Sequence, residues 1–317
     1  METIIFNRRE IPAGAVNRSD VAVDGWPLRV FEWPPESGMR RGTLLFQGGR
    51  GDIFEKYLEA FDHWHRRGWH ISSFDWRGQG GSGRFAADPR VGHVEDFAVW
   101  VDELAGRFAA LRDTTPGPHV VVAHSMGGHL VLRALIERRI APDAVVLVAP
   151  MLGLRSQPFS QRVAARIARF MTRIGRPERA AWKHNERPSL PGASRQKFLT
   201  HSLERYDDEL WWKTQKPELA LGPPSWQWLA AAYRSTLDSF APGRLESVHV
   251  PILLICADAD RLVDPESTRV AARRLPDARL LRFGVESAHE ILREADPVRL
   301  HALAEIDRFF DERATAG

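Results

Sequence analysis

With 317 residues, 44% of them hydrophobic and 27% charged, the chain has the balance of a folded protein with a sizeable core and not of a disordered one. A formal charge of only +3 argues against nucleic acid as a partner, and no apolar run approaches the roughly 20 residues of a membrane-spanning helix. The lone cysteine, Cys256, rules out an intramolecular disulfide, and the N-terminus lacks the basic-then-apolar layout of a secretory signal, so a cytoplasmic protein is expected.

Along the first half, short apolar runs alternate with helical patterns. "LRVFEW", "GTLLFQ", "HISSFDW", "HVVVAH" and "AVVLVAP" read as strands, while "FEKYLEAFDHWHRRG" and "HVEDFAVWVDELAGRFAALR" carry apolar residues at helical spacing. Such alternation predicts parallel strands joined by crossover helices. After Pro150 the alternation stops, and residues 152–240 show helical patterns only. That stretch holds 15 Lys and Arg against 8 Asp and Glu, a net +7 in a chain of +3. The alternation then resumes with "PILLICAD", the helix "PESTRVAARRL", the strand "ARLLRF" and a last helix from about Pro297 to Arg313. The expected architecture is one α/β core, residues 1–151 and 241–317, with a helical cap inserted at 152–240.

"HVVV" runs directly into Ala123-His124-Ser125-Met126-Gly127 and then into "GGHLVLRALIERR": a strand, a turn and a helix. A nucleophile elbow places its serine on such a strained turn, with small residues on either side so that the backbone passes without collision. The usual pattern is G-x-S-x-G; Ala123 holds the first position here and, being small, keeps the steric logic. The plain alternative is a serine capping a helix. What separates the two is whether an acid and a histidine follow in the order Ser, Asp, His, at the ends of later strands. "PILLICADADRLVDP" ends a strand with Asp258 and Asp260, and "LLRFGVESAHEILRE" ends the next with His289 in a turn before a helix. The glycine-rich "DWRGQGGSG" lacks the G-x-G-x-x-G spacing and the Walker lysine of a phosphate cradle, and no Cys or His cluster has metal-ligand spacing, so no cofactor is expected.

In combination, "FDWRGQGGSGR" with "ADPRVGHVEDFAVWVDEL", "AHSMGGHLVLRAL", "VAPMLG", "ICADADRLVDP" and "SAHEILRE" make the chain resemble α/β-hydrolases of the monoacylglycerol lipase and lysophospholipase branch, most closely its bacterial lysophospholipases. "THSLERY" and "GPPSWQW" extend the likeness into the insertion. The resemblance implies an α/β-hydrolase fold, a mostly parallel central sheet flanked by helices with a helical cap, and a serine ester hydrolase. By it, Ser125 is the nucleophile, His289 the general base and then acid, and Asp260 the acid that orients the imidazole. Asp258 is the rival, otherwise a turn or capping residue. Met126 supplies one oxyanion N–H; the loop "QGGRGD" supplies the second, from Gly49 or Arg50, with Gln47-Gly48 where family members often have His-Gly. Asp75 and Arg77 are implied to brace the site from behind, and His93, His124 and His129 to be structural.

Within the insertion, "SQRVAARIARFMTRIGR" sets Arg162, Arg166, Arg169 and Arg173 on one helical face and Val163, Ile167, Phe170, Met171 and Ile174 on another. Such a helix either lies on an anionic membrane surface or meets a phosphate head group, or it carries a solvated arginine face while the other face packs inward. Trp182, Trp211, Trp212, Trp226 and Trp228 either line an acyl tunnel or the interface, or simply pack the cap. "RPSLPGAS" reads as a hinge or as a rigid loop. The expected activity is hydrolysis of a single-chain lipid ester, lysophospholipid before monoacylglycerol. The competing readings are a soluble-ester or thioester hydrolase and, from another class, an inactive binding protein on the same fold.

Overall fold

The computed structural model describes residues 6–22, 24–182 and 194–315. Their strands, β1 (Val16–Val21), β2 (Pro27–Trp33), β3 (Gly42–Gln47), β4 (Trp69–Phe74), β5 (His119–His124), β6 (Ala144–Val148), β7 (Ile252–Ala257) and β8 (Ala278–Phe283), form an eight-stranded sheet in the order β1-β2-β4-β3-β5-β6-β7-β8. β2 pairs antiparallel with both β1 and β4, and every other neighbour pair is parallel. β1 is the strand that sequence patterning does not reveal. Its residues, VNRSDV, are almost all exposed, so no apolar alternation marks an edge strand held by its backbone ladder to β2.

The central strands are apolar throughout because both faces are covered. Leu45, Val121, Ala123, Val145, Leu147 and Leu254 face one layer, containing α2 (Ala98–Thr114) and α3 (Ser125–Ile136). Leu44, Phe46, Val120, Val122, Val146, Val148, Leu253 and Ile255 face the other, containing α1 (Leu58–His65) and α9 (Asp296–Arg313). The period-2 side-chain alternation of a strand thus feeds two separate cores. α8 (Pro265–Arg274) crosses between β7 and β8.

Between β6 and β7 the described residues contain no named strand. They hold α4 (Gln161–Arg173), α5 (Ser194–Leu199), α6 (Leu203–Gln215) and α7 (Trp226–Ser239). α4 lies along α7, burying Ala168 and half-burying Ala164 and Ala165, and α7 also meets α3. The loop at Gly92 joins this layer by a bridge to Pro224, and His93 Nδ1 lies 2.9 Å from Ser225 Oγ, the residue that caps α7. In the stretch "RPSLPGAS", residues 187–193 lie outside the described residues.

Candidate active site

Four loops converge where β3, β5, β7 and β8 end at their C-terminal edge. β5 delivers Ser125 at φ 52°, a left-handed conformation that a residue with a side chain adopts only under strain. The strain is enforced by close packing: a Cβ on Gly127 would stand 2.4 Å from the Gly48 carbonyl oxygen, and one on Gly128 2.9 Å from Pro150 Cβ. Ser125 does not cap α3. Its Oγ lies 2.9 Å from His289 Nε2, and His289 Nδ1 lies 2.6 Å from Asp260 Oδ2. Asp260, after β7, also accepts the N–H groups of Leu262 and Val263.

All three side chains are buried. Burial works to lower the His289 pKa, but the Asp260 carboxylate, with Glu290 and Asp52, outweighs it and leaves the imidazole above its ordinary value. Burial likewise works to raise Asp260, and the facing imidazole with the two backbone donors holds it below the usual carboxylate range. Asp258 lies outside this relay and pairs with Arg269 and Arg282 at the surface.

The loop after β3 is braced at three points that sequence reading did not find. Trp76 Nε1 donates to the Gly48 carbonyl at 2.8 Å, Gly49 N–H donates to Asp52 Oδ2 at 2.7 Å, and Gly51 N–H donates to Gln79 Oε1 at 2.7 Å. Trp76 and Gln79 sit in the glycine-rich turn after β4, with Asp75 and Arg77. Asp75 accepts from Arg29 and from Gly81 N–H, and Arg77 pairs with Asp24 and Glu103. Met126, which follows the serine, is fully buried.

His124 and His129 have structural partners. His124 Nε2 reaches the His289 carbonyl at 3.3 Å, and His129 Nε2 meets Ser235 Oγ on α7 at 2.8 Å. Neither is hydrogen-bonded to Ser125 Oγ, whereas His289 is.

Ser125 and His289 open onto a cavity of about 360 Å³. Its walls include Met151, Leu154, Leu199, Leu221, Leu229 and Val263, and its cations include Arg155, Arg195 and Arg261. Of the five tryptophans of the insertion, Trp182 and Trp228 line the cavity. Trp211 packs edge-on against Trp212, whose Nε1 bonds the Arg8 carbonyl, and Trp226 lies under Arg179.

The model of the serine aminopeptidase S33 family matches residues 38–296. Lysophospholipase L2 of Escherichia coli strain K12 is 33% identical over 301 residues, covering 91% of this chain and 85% of that protein. A probable lysophospholipase L2 of Haemophilus influenzae is 26% identical, covering 87% of this chain and 86% of its own length. Among solved structures, a soluble variant of monoglyceride lipase from Saccharomyces cerevisiae superposes with a TM-score of 0.74 at 16% identity, over 97% of this chain and 99% of that one, a likeness of fold. A strand-borne serine relay on a mostly parallel sheet, a family match across most of the length and a relative at one-third identity agree: the chain belongs to the serine aminopeptidase S33 family of α/β hydrolases and is a serine hydrolase.

Proposed function

We propose that this hydrolase cleaves the carboxyl ester of a lysophospholipid and releases a fatty acid. The observation that carries the reading is the cavity, in which the Ser125–His289 pair meets apolar walls and several arginines, matching the two halves of a single-chain lipid with a phosphate head group. The similarity to lysophospholipase L2 supports the same substrate class.

In this reading the Ser125 hydroxyl gives its proton to His289 Nε2 as Oγ adds to the ester carbonyl. Asp260 holds the imidazole in the tautomer that accepts it. The tetrahedral oxyanion takes N–H donors from Met126 and from the Gly49–Arg50 loop, falling on Arg50 because Gly49 N–H is held by Asp52. The protonated His289 then protonates the leaving glycerol oxygen, and the acyl group stays on Ser125. Water, deprotonated by the same histidine, attacks the acyl-enzyme, and collapse frees the fatty acid and restores Ser125.

Residues 152–240 act as the cap over this chemistry, and α4 as its contact with an anionic bilayer. On α4 the inward face is alanine. Val163, Ile167, Phe170 and Ile174 form an outward stripe, 38%, 38%, 59% and 44% exposed, with Phe159 beside its start at 52%. Arg162, Arg166, Arg169 and Arg173 form a second exposed stripe, and the helix carries no acid. A solvated arginine face needs no bare apolar stripe beside it, whereas insertion at a lipid interface uses both.

The test is fatty-acid release from lysophosphatidylcholine, lysophosphatidylglycerol and monoacylglycerol, beside hydrolysis of alanine p-nitroanilide as a peptidase control. The expected result is release from the two lysophospholipids above monoacylglycerol, none from the anilide, and loss of about 10⁴-fold or more in Ser125→Ala. Turnover confined to short soluble esters overturns the lipid reading.

A further inference from the structure

Beneath the loop that faces Ser125 lies a buried carboxylate with no part in the proton relay. Asp52 Oδ2 accepts from Gly49 N–H at 2.7 Å and from the Tyr57 hydroxyl at 2.8 Å, and lies 3.0 Å from His124 Nδ1. Its Oδ1 accepts from Lys56 Nζ at 2.5 Å. One side chain therefore touches the oxyanion loop and the residue before the nucleophile. Through His124 it reaches the carbonyl of His289.

Lys56 extends the chain into the insertion. Its ammonium bonds Glu290, the neighbour of His289, at 2.7 Å, and Glu209 of α6 at 3.1 Å. Glu209 also pairs with Lys213 at 2.6 Å and with Arg293 at 3.0 Å, and Arg293 pairs with Glu290. Three acids and three cations thus balance in a largely buried cluster. Burial alone would raise the Asp52 and Glu209 carboxyls, and the adjoining cations hold both well below the usual range, so all three acids stay ionised. Removing one member leaves a charge buried without its full complement, which the cluster relieves by moving.

Asp52 and the nucleophile have little room between them. A Cβ on Gly49 would stand 2.9 Å from Ser125 Cβ and 3.1 Å from Asp52 Oδ2. Oxyanion donors are effective because they are fixed before charge develops, and a displacement of about 1 Å costs about 10²-fold.

We propose that Asp52 is a positioning residue for the hydrolytic step: it fixes the Gly49–Arg50 loop against Ser125, and Glu209 of α6 holds the Lys56–Asp52 pair in place, so that the docked insertion sets the turnover rate. This rests on the ester-hydrolase reading. It extends that reading by giving α6 a part in the chemistry of a substrate too small to need a cap.

The experiment uses full-length protein, p-nitrophenyl butyrate as substrate, and a trifluoromethyl ketone that adds Ser125 Oγ to form a tetrahedral oxyanion. Asp52→Ala is expected to lower kcat about 10²-fold with KM within threefold, and to weaken the ketone by a similar factor. Asp52→Asn, whose amide oxygen still accepts from Gly49 N–H, recovers most of the loss. Glu209→Gln lowers kcat about tenfold with the same unchanged KM. If Asp52→Ala does not fold by circular dichroism and gel filtration, Glu209→Gln, with its expected tenfold loss of kcat, carries the test. Asp52→Ala or Glu209→Gln protein that keeps kcat within twofold, or loses kcat while the ketone binds as before, or changes KM alone, overturns the proposal. A wild-type chain that neither turns over the ester nor reacts with a fluorophosphonate at Ser125 overturns the underlying reading and this proposal with it. A wild-type chain that does both beside unaffected variants overturns this proposal alone.

Discussion

In the proposed mechanism His289 must be neutral to take the serine proton, yet burial, which favours the neutral ring, is outweighed by the Asp260 charge 2.6 Å away together with Glu290 and Asp52. Activity is therefore lost as pH falls through a value above the ordinary histidine pKa of 6.5. The kcat/KM profile on a soluble ester is expected to show an acid limb with its midpoint above 6.5. Asp260→Asn is expected to cost about 10³- to 10⁴-fold in kcat. A midpoint at or below 6 contradicts the arrangement. His129 faces the opposite pressure. Burial, with Arg133 nearby, pushes its pKa down to about 3. The unfolded chain therefore binds this proton below about pH 6.5 while the folded chain stays unprotonated until about pH 3. Stability then falls as pH drops, by about 1.4 kcal/mol per pH unit within that window. Urea midpoints at pH 7 and 5 check this, and His129→Gln is expected to flatten the difference. Ser125, Asp260 and His289 are legible in sequence because each follows a recognisable strand in the right order. Asp52, Lys56 and Glu209 are not: Asp52 reads as the end of a glycine-rich turn, and Lys56 and Glu209, in helical stretches, read as a solvated face, until the fold brings Glu290 and Arg293 beside them.

At the scale of elements, the elbow works by proximity. Gly127→Ala would drive a methyl into the Gly48 and Gln47 carbonyl oxygens, at 2.4 and 2.7 Å, which are backbone atoms that yield only if the loop after β3 moves. The expected cost is about 1–3 kcal/mol in urea unfolding, with a fall in kcat on any ester. The helices of the insertion differ in how they are held. α4 rests on α7 through alanines, so Ile167→Ser with Phe170→Ser is expected to leave the thermal midpoint nearly unchanged. The same pair is expected to lower binding to phosphatidylglycerol vesicles about tenfold or more in a cosedimentation assay. Equal binding by the variant removes α4 as the contact. Sequence periodicity located this helix and its stripes. It did not say which stripe faces inward, because alanine does the packing there and carries little hydropathy.

For the whole molecule, the alternating pattern made the parallel sheet legible, and the break after Pro150 marked where the alternation stops. The antiparallel edge at β1 escaped for want of apolar residues. What no local pattern encodes is how firmly α6 is tied down. Arg8 and Arg9 pair with Glu204, Asp207 and Asp208, and Arg205 reaches Glu59 and Asp296. Amides of α6 are accordingly expected to exchange with deuterium more slowly than those of α4, by one to two orders of magnitude, in a native-state exchange experiment.

The neutral cluster around Lys56 also bears on how such an enzyme diverges or is rebuilt. Glu209 belongs to the insertion, Asp52, Glu290 and Arg293 to the sheet's loops, and none is electrically complete without the others. A chimera that grafts a relative's helices onto this sheet, to exchange one lipid preference for another, inherits the wrong countercharge unless residues 52, 56, 290 and 293 travel with the graft. On the proposed role of Asp52, rate is then tied to the same six side chains, and a library that varies the insertion alone keeps that rate only among sequences that retain an acid at 209.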